Sequence, residues 1–325
     1  MKKLLLLLLC LPMIGFGQIF THKVDSVIVY YQDSITLNQI RKHKIERVYD
    51  ANNNQILSAS YNWNLTTSSW IVNSKTEYTY DANNNQTLYT YFTWDISTNS
   101  WIGNVKNEYT YDANNNQILS ASYNWNLTTS SWIVNSKTEY TYDANNNQTL
   151  YTYFTWDIST NSWIGNVKNE YTYDANNNQT LHTHFTWDIS ANSWIGNYKD
   201  EYTYDANNNQ TLYTHFTWDI SANSWINNTK IERTYDANNN QTLHVRYYWN
   251  SSTNSWIGNY KDEYTYDANN NQTLHVRYYW NSSTNSWIGN YKNEYTYDAN
   301  NNQTLHVSYN WNSSTNSWIG DYKKE

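Results

Sequence analysis

Between residues 86 and 111 large and small, apolar and polar side chains alternate with a period of two. Leu88, Thr90, Phe92 and Trp94 fall on one side, and Thr87, Tyr89, Tyr91 and Thr93 on the other. After a polar loop at 95–100, Trp101, Gly103, Val105, Tyr109 and Tyr111 share a side, with Asn104, Lys106, Glu108 and Thr110 opposite. Alternation of this kind predicts half-buried strands. The run Tyr78-Thr79-Tyr80 before Asp81-Ala82-Asn83-Asn84-Asn85 predicts a strand entering a tight turn. If Asp81 faces Asn85, a three-residue loop remains, and Asn84 takes its left-handed position. Carried on, this register sets Tyr78 opposite Leu88 and Val72 opposite Trp94. Across the polar loop Trp94 faces Trp101 and Phe92 faces Gly103, an aromatic laid over a cross-strand glycine. In the first copy the same pair is Tyr61 and Val72.

The pattern recurs. The core Tyr-Asp-Ala-Asn-Asn-Asn-Gln occurs nine times, with aspartates from Asp50 to Asp298 spaced by 31 residues without insertion or deletion. Residues 55–81 and 117–143 are identical, as are 86–112 and 148–174, so a 62-residue pair was copied whole. A fixed period of this length marks a repeat architecture. The expected fold is all-β: an elongated antiparallel β-meander or spiral array with two strands per 31-residue repeat. About 18 strands at about 4.8 Å each give a contour of about 85 Å, and strand twist would wind it into a spiral. A single repeat cannot fold alone in such an array. The expected organisation is a signal peptide at 1–17, a capping segment at 18–49, and nine repeats at 50–325, the last truncated. Residues 44–50 match 230–236, so the leading segment ends as half a repeat. Glu325 sits where Glu77 sits in its repeat, which predicts a further repeat, cap or sorting domain beyond it.

Export follows from the first residues. Lys2 and Lys3 precede a leucine run, and Gly15-Phe16-Gly17 supplies small residues for cleavage. That run is too short to span a bilayer. Leu9, rather than a small residue, precedes Cys10, which argues against a lipid anchor. The only cysteine and the only proline, Pro12, leave with the signal, so disulfides, cysteine metal sites and thiol nucleophiles are excluded from the mature chain. The whole chain carries a formal charge of −8, with 18 Trp and 34 Tyr. The acidic balance offers no nucleic-acid footprint, and this many aromatic residues argue against disorder.

The tryptophans form nine pairs spaced by seven, from Trp63/Trp70 to Trp311/Trp318. Sharing a side with Leu and Phe, they read as the inner layer of a sheet that must coil on itself or meet a second layer. The other side carries the variable positions. In the column of Tyr91 stand Ser60, Tyr91, Ser122, Tyr153, His184, His215, Arg246, Arg277 and Ser308. This column reads as solvated surface or as a ligand-contact stripe formed by Tyr91, Tyr153, His184, His215, Arg246 and Arg277. Equivalent histidines of adjacent repeats lie about 9.6 Å apart, too far to share a metal. His182 and His184, two apart on one strand, are the one pair within reach of a common ion. Glu77, Glu108 and Glu139 beside Lys75, Lys106 and Lys137 read as exposed charges. Asp81, Asn83 and Asn85 mimic the start of a calcium loop, but Gln86 and Phe92 stand where it needs Gly and Glu. No catalytic, cofactor-binding or metal-ligating group stands out, and an enzyme is not expected.

Tyr78-x-Tyr80-Asp81-x-x-Asn84-Asn85-x-Thr87-Leu88 resembles the tyrosine–aspartate (YD, or Rhs-type) repeat, in which Gly stands at the Asn84 position and the period is nearer twenty. The ending Gly15-Phe16-Gly17-Gln18 and the Asn/Tyr/Trp-rich copies also resemble secreted repeat proteins of Bacteroidota exported by type IX secretion. Asp25-Ser26-Val27 and Asp33-Ser34-Ile35 look like the O-glycosylation motifs of that group. These resemblances imply a secreted or cell-surface protein with a structural or adhesion role. The alternatives are a glycan-binding module using exposed aromatics, with extracellular polysaccharide as its partner, or a fragment of a larger YD-repeat shell.

Overall fold

The computed structural model describes residues 23–32 and 39–325, so the signal segment and Asp33-Ser34-Ile35 lie outside the described residues. Twenty antiparallel strands make up one sheet, and the described residues contain no helix. The leading strands are β1 (Lys23–Gln32) and β2 (Gln39–Tyr49), which pair antiparallel, and β2 in turn pairs with the first strand of the repeats. In the repeats the ten-residue strands are β3 (Gln55–Asn64), β5 (Gln86–Asp95), β7 (Gln117–Asn126), β9 (Gln148–Asp157), β11 (Gln179–Asp188), β13 (Gln210–Asp219), β15 (Gln241–Asn250), β17 (Gln272–Asn281) and β19 (Gln303–Asn312). The strands that follow them are β4 (Ser69–Tyr80), β6 (Ser100–Tyr111), β8 (Ser131–Tyr142), β10 (Ser162–Tyr173), β12 (Ser193–Tyr204), β14 (Ser224–Tyr235), β16 (Ser255–Tyr266), β18 (Ser286–Tyr297) and β20 (Ser317–Lys324). The chain forms two compact units, Met1–Asn135 and Ser136–Glu325, each built in the same way.

The Asp-Ala-Asn-Asn-Asn turn forms as its residues predict. Asp81 N–H donates to the Asn85 carbonyl at 2.9 Å, Asn84 N–H donates to the Asp81 carbonyl at 3.1 Å, and Asn84 has φ 65°. Asp81 spends its carboxylate on the turn, accepting from the Asn83 and Asn85 amides at 2.9 Å and from Asn85 Nδ2 at 3.1 Å. The Asn84 position does more than tolerate positive φ. In the first unit Asn115 Oδ1 accepts from Asn83 Nδ2 at 2.9 Å and Asn85 Nδ2 at 2.8 Å of the preceding turn. In the second unit Asn178 donates to Asn208, Asn209 to Asn239, and Asn240 to Asn270, each at 2.8 Å. Glycine would supply the backbone freedom but no acceptor, which is why asparagine stands where the YD pattern has glycine.

Beyond the turn the register departs from the simple expectation twice per repeat. Tyr80 pairs with Gln86 but Thr79 pairs with Leu88, so Thr87 is an extra residue and Tyr78 faces Tyr89 rather than Leu88. Ser74 pairs with Thr93, and Val72 accordingly does not face Trp94. Across the other loop Trp94 faces Trp101 and Phe92 faces Gly103 as expected, and Tyr61 faces Val72. Tyr91 then pairs with Val105, leaving Asn104 as a bulge. A bulge moves every later side chain to the other face. Lys106 and Glu108 thus pair with Thr90 and Leu88 on the tryptophan face, while Val105, Asn107 and Tyr109 lie on the opposite one.

The tryptophan face is covered by its own side chains rather than by a second layer. Within each unit the strands contact their sequence neighbours, and no large side chain is fully buried among the described residues. All nine Trp pairs meet edge to face, as in Trp94/Trp101 at 5.0 Å and Trp218/Trp225 at 4.8 Å between centroids. Five of the pairs sit over a glycine of the repeat before them, at Gly103, Gly165, Gly196, Gly258 and Gly289, and in the other repeats that position holds Val72, Val134 or Asn227. A Cβ on Gly196 would lie 2.8 Å from Trp218 and Trp225, and one on Gly103 2.5 Å from Trp125. The atoms nearest the side-chain position of Gly103 therefore belong to the next repeat's indoles rather than to Phe92, its cross-strand partner. The Lys–Glu pairs, expected on the polar face, complete this layer. Lys199 Nζ lies 4.1 Å from the Phe216 ring centroid and 2.7 Å from Glu201 Oε1. Lys75 lies over Phe92 and Trp101 at 4.7 and 4.9 Å. The lysine stems spread over apolar surface while the ammonium groups meet ring faces and carboxylates.

Candidate functional site

The opposite face, in the second unit, carries the chemistry. On β11, β13 and β17 two positions spaced by two converge on one acceptor of the preceding strand. His182 Nε2 and His184 Nδ1 both lie at hydrogen-bond distance from Asn169 Oδ1, 2.9 and 2.8 Å. Tyr213 Oη donates to Asp200 Oδ1 at 2.9 Å, and His215 Nδ1 reaches the same oxygen at 2.7 Å. Arg277 grips both oxygens of Asp262 at 2.8 Å, and His275 Nε2 adds a contact at 2.8 Å. His306 Nε2 meets Asn293 Oδ1 at 3.0 Å. This geometry follows from register, because Asn169 pairs directly with His184, Asp200 with His215, and Asp262 with Arg277.

Rings separate these clusters. Tyr171 stacks on His182 at 4.8 Å, Tyr198 on His184 at 4.8 Å, and Tyr264 on His275 at 4.6 Å. The Arg277 guanidinium lies between Tyr260 and Tyr291, at 4.9 and 5.5 Å from their centroids. Asp262 is 2% exposed. Burial opposes its ionisation, but hydrogen bonds from His275 and Arg277 and their charges prevail and hold its pKa down at about 2. Burial, then the charge of Asp262, pushes Tyr264 up to about 12, and Tyr202 rises likewise beside Asp200. Burial lowers His182 and His184.

The six residues of the expected stripe divide by environment. Tyr91, in the first unit, pairs with Thr76 and Val105, and Tyr153, in the second, pairs with Val167. His184, His215 and Arg277 are half-buried and engaged by Asn169, Asp200 and Asp262. Arg246 is exposed. The acceptor column Asn169, Asp200, Asp262 and Asn293 escaped sequence reasoning, because the Asn104-type bulge moves it to this face. Its signal was present: Asp200 and Asp262 occur in copies followed by His215 and Arg277. Exposed tyrosines continue the face, with Tyr248 41% and Tyr279 48% exposed. At the loop edge lies a shallow cleft of about 510 Å³ lined by Trp187, Ile189, Trp218 and Ile220.

Residues 19–108 match the model of a family of unknown function, DUF3836. The remainder of the chain lies outside that match. A protein of unknown function from Bacteroides fragilis is similar at 20% identity, with a TM-score of 0.30, over 39% of this chain and 90% of that one. A DUF3836 family protein from Parabacteroides distasonis is similar at 20% identity, with a TM-score of 0.21, over 27% and 82%. The Photorhabdus luminescens Tc holotoxin pore is similar at 12% identity, with a TM-score of 0.35, over 87% of this chain but 15% of that one. No curated protein matches.

Proposed function

We propose that the chain is a non-enzymatic secreted or cell-surface repeat protein with a structural and adhesive role. The observation that carries this reading is the way neighbouring repeats complete one another. Asparagine turns, Trp pairs over glycines and Lys–ring contacts all run from one repeat to the next, so each added unit extends a regular half-exposed surface. Polar groups on that surface are spent largely on one another, which suits presentation better than turnover. Purified full-length protein on beads should retain cell-surface material of its own producer, in proportion to the protein loaded. Beads that retain no more than uncoated controls would sink the reading.

A second reading, a glycan-binding module, is favoured by the exposed Tyr248 and Tyr279 beside Arg246 and the Tyr-sandwiched Arg277. Ring faces and guanidinium donors together suit sugar rings and hydroxyls. Loss of polysaccharide retention in Tyr248→Ala and Tyr279→Ala, with the fold intact by circular dichroism, would select it over a purely structural role.

A further inference from the structure

One repeat lacks the acceptor on which its neighbours converge. Where Asn169, Asp200, Asp262 and Asn293 stand elsewhere, the strand before His244 and Arg246 carries Ile231, paired directly with Arg246. His244 Nε2 is buried with no hydrogen-bond partner, and among the described residues no ion pair or hydrogen bond engages the exposed Arg246. A second replacement adds to the first. Arg233, paired with His244, takes the place held by Tyr171, Tyr202, Tyr264 and Tyr295 in sister repeats. Among the described residues its guanidinium donates to the neutral side-chain oxygen of Gln210 alone. The nearest carboxylate across the next strand, Asp262, is already held by His275 and Arg277. After burial, the charge of Arg233 depresses the His244 imidazolium most; Asp262 opposes it, and Arg277 and Arg246 add to Arg233, so the balance of charge at this point is cationic in an acidic chain. The pair Ile45 and Arg47 repeats the replacements in the first unit, but Ser60 and Ser58 face them there and bring no charge.

We propose that Arg246 and Arg233, with His244 buried behind them, form a binding site for an anionic oxygen group, a carboxylate or sulfate carried on an acidic polysaccharide. The ligand anion supplies from outside the acceptor that Asp262 supplies from within to His275 and Arg277. A guanidinium is suited to this by its fixed fork of donors, which fits a carboxylate or sulfate edge. Ile231 forms an apolar floor, so water competes poorly for the same groups. The inference rests on the glycan-binding reading and adds to it the charge class of the ligand.

The test uses the full chain and three probes: dextran, dextran sulfate and polygalacturonate. Wild-type protein should retain one or both acidic polymers more strongly than dextran, and which one separates sulfate from carboxylate. Arg246→Ala should weaken that retention about tenfold or more, the worth of one charged hydrogen-bonding pair. Ile231→Asp should weaken it as much, because the new carboxylate is placed to accept from His244 and Arg246, and it should raise the melting temperature. Since Arg246 is exposed, its alanine variant keeps the fold, which circular dichroism checks. Acidic polymers held by the wild type no better than dextran, or held by both variants as strongly as by the wild type, would overturn the proposal. Retention of dextran alone would leave the glycan reading standing while removing the anion site, and retention of nothing would remove both.

Discussion

The two faces of the sheet are built on opposite plans. On the tryptophan face the copies repeat the same parts: an edge-to-face Trp pair and a lysine over the next ring, with a glycine beneath the next pair in five of them. On the other face the copies differ at almost every column, and interactions form only where a donor meets an acceptor. The uniform face holds repeats together, so a change there should cost about the same wherever it is made. The variable face tolerates Ser60 and Ser308 as readily as Arg277, so its changes should matter only at particular copies.

The largest effect should come from the uniform face. Trp225→Ala removes half of a ring pair and uncovers Gly196, and should lower stability by about 2–4 kcal/mol. Trp163→Ala should cost a similar amount by urea denaturation; a spread as wide as that on the other face would break the comparison. Asp262→Ala comes next, at about 2–3 kcal/mol, because Arg277 and His275 lose their acceptor in a buried site. Asn293→Ala, by contrast, frees one histidine and should cost less than about 1 kcal/mol. Asp262 also sets a pH signature. Its folded pKa is depressed to about 2, so its contribution is present above the ordinary carboxylate value and is lost as pH falls from about 4 through 2. The Asp262→Asn chain should show a shallower loss of melting temperature over that window.

Gly258→Val should cost about 1–3 kcal/mol, since its Cβ would lie 2.8 Å from Trp280 and Trp287. At Gly320 nothing lies within 4 Å of the same atom, and Gly320→Val should change stability by less than about 0.5 kcal/mol. Val72 shows that the position accepts a branched residue where the neighbouring rings are placed for it, so equal costs at 258 and 320 would mean the fit is not specific. Lys199→Ala should cost less than Gly258→Val, about 0.5–1 kcal/mol, for the loss of its contact with the Phe216 ring. Replacement by Met, which keeps the stem and discards the charge, should recover part of it by the same thermal melt.

Strands, turns and loop pairings were legible in the residues themselves. Period-two alternation located both strands of every repeat, and Asn84 announced its left-handed turn. The pairings Trp94/Trp101 and Phe92/Gly103 followed from a short loop of fixed length. What failed was propagation across bulges. Gly103-Asn104 carries a usable warning, because glycine inside a strand often marks a bulge. Thr87 carries none, since Gln-Thr-Leu reads as uninterrupted strand. One extra residue was enough to put Lys106 and Glu108 on the wrong face and to hide the Asn169–Asp200–Asp262 column. The cover on the tryptophans was not legible either: a sheet coiled on itself or a second layer was expected, whereas five of the indole pairs lie on a glycine of the preceding repeat. That contact joins side chains about 22 to 29 residues apart, a distance at which alternation along one strand carries no information.

The asparagine turns have a consequence in the gene. Each turn's amide contacts reach a partner one period later, so a copy carrying an extra residue would misalign the amides on both sides of it. Whole copies meet no such obstacle: any copy presents to its neighbours the same donors and the same acceptor. Recombination between identical stretches, such as those encoding 55–81 and 117–143, can therefore lengthen or shorten the array by complete units while every junction remains well formed. Variation between strains should appear as changes in length by multiples of 31 residues, 62 where those stretches recombine, with the turn left untouched.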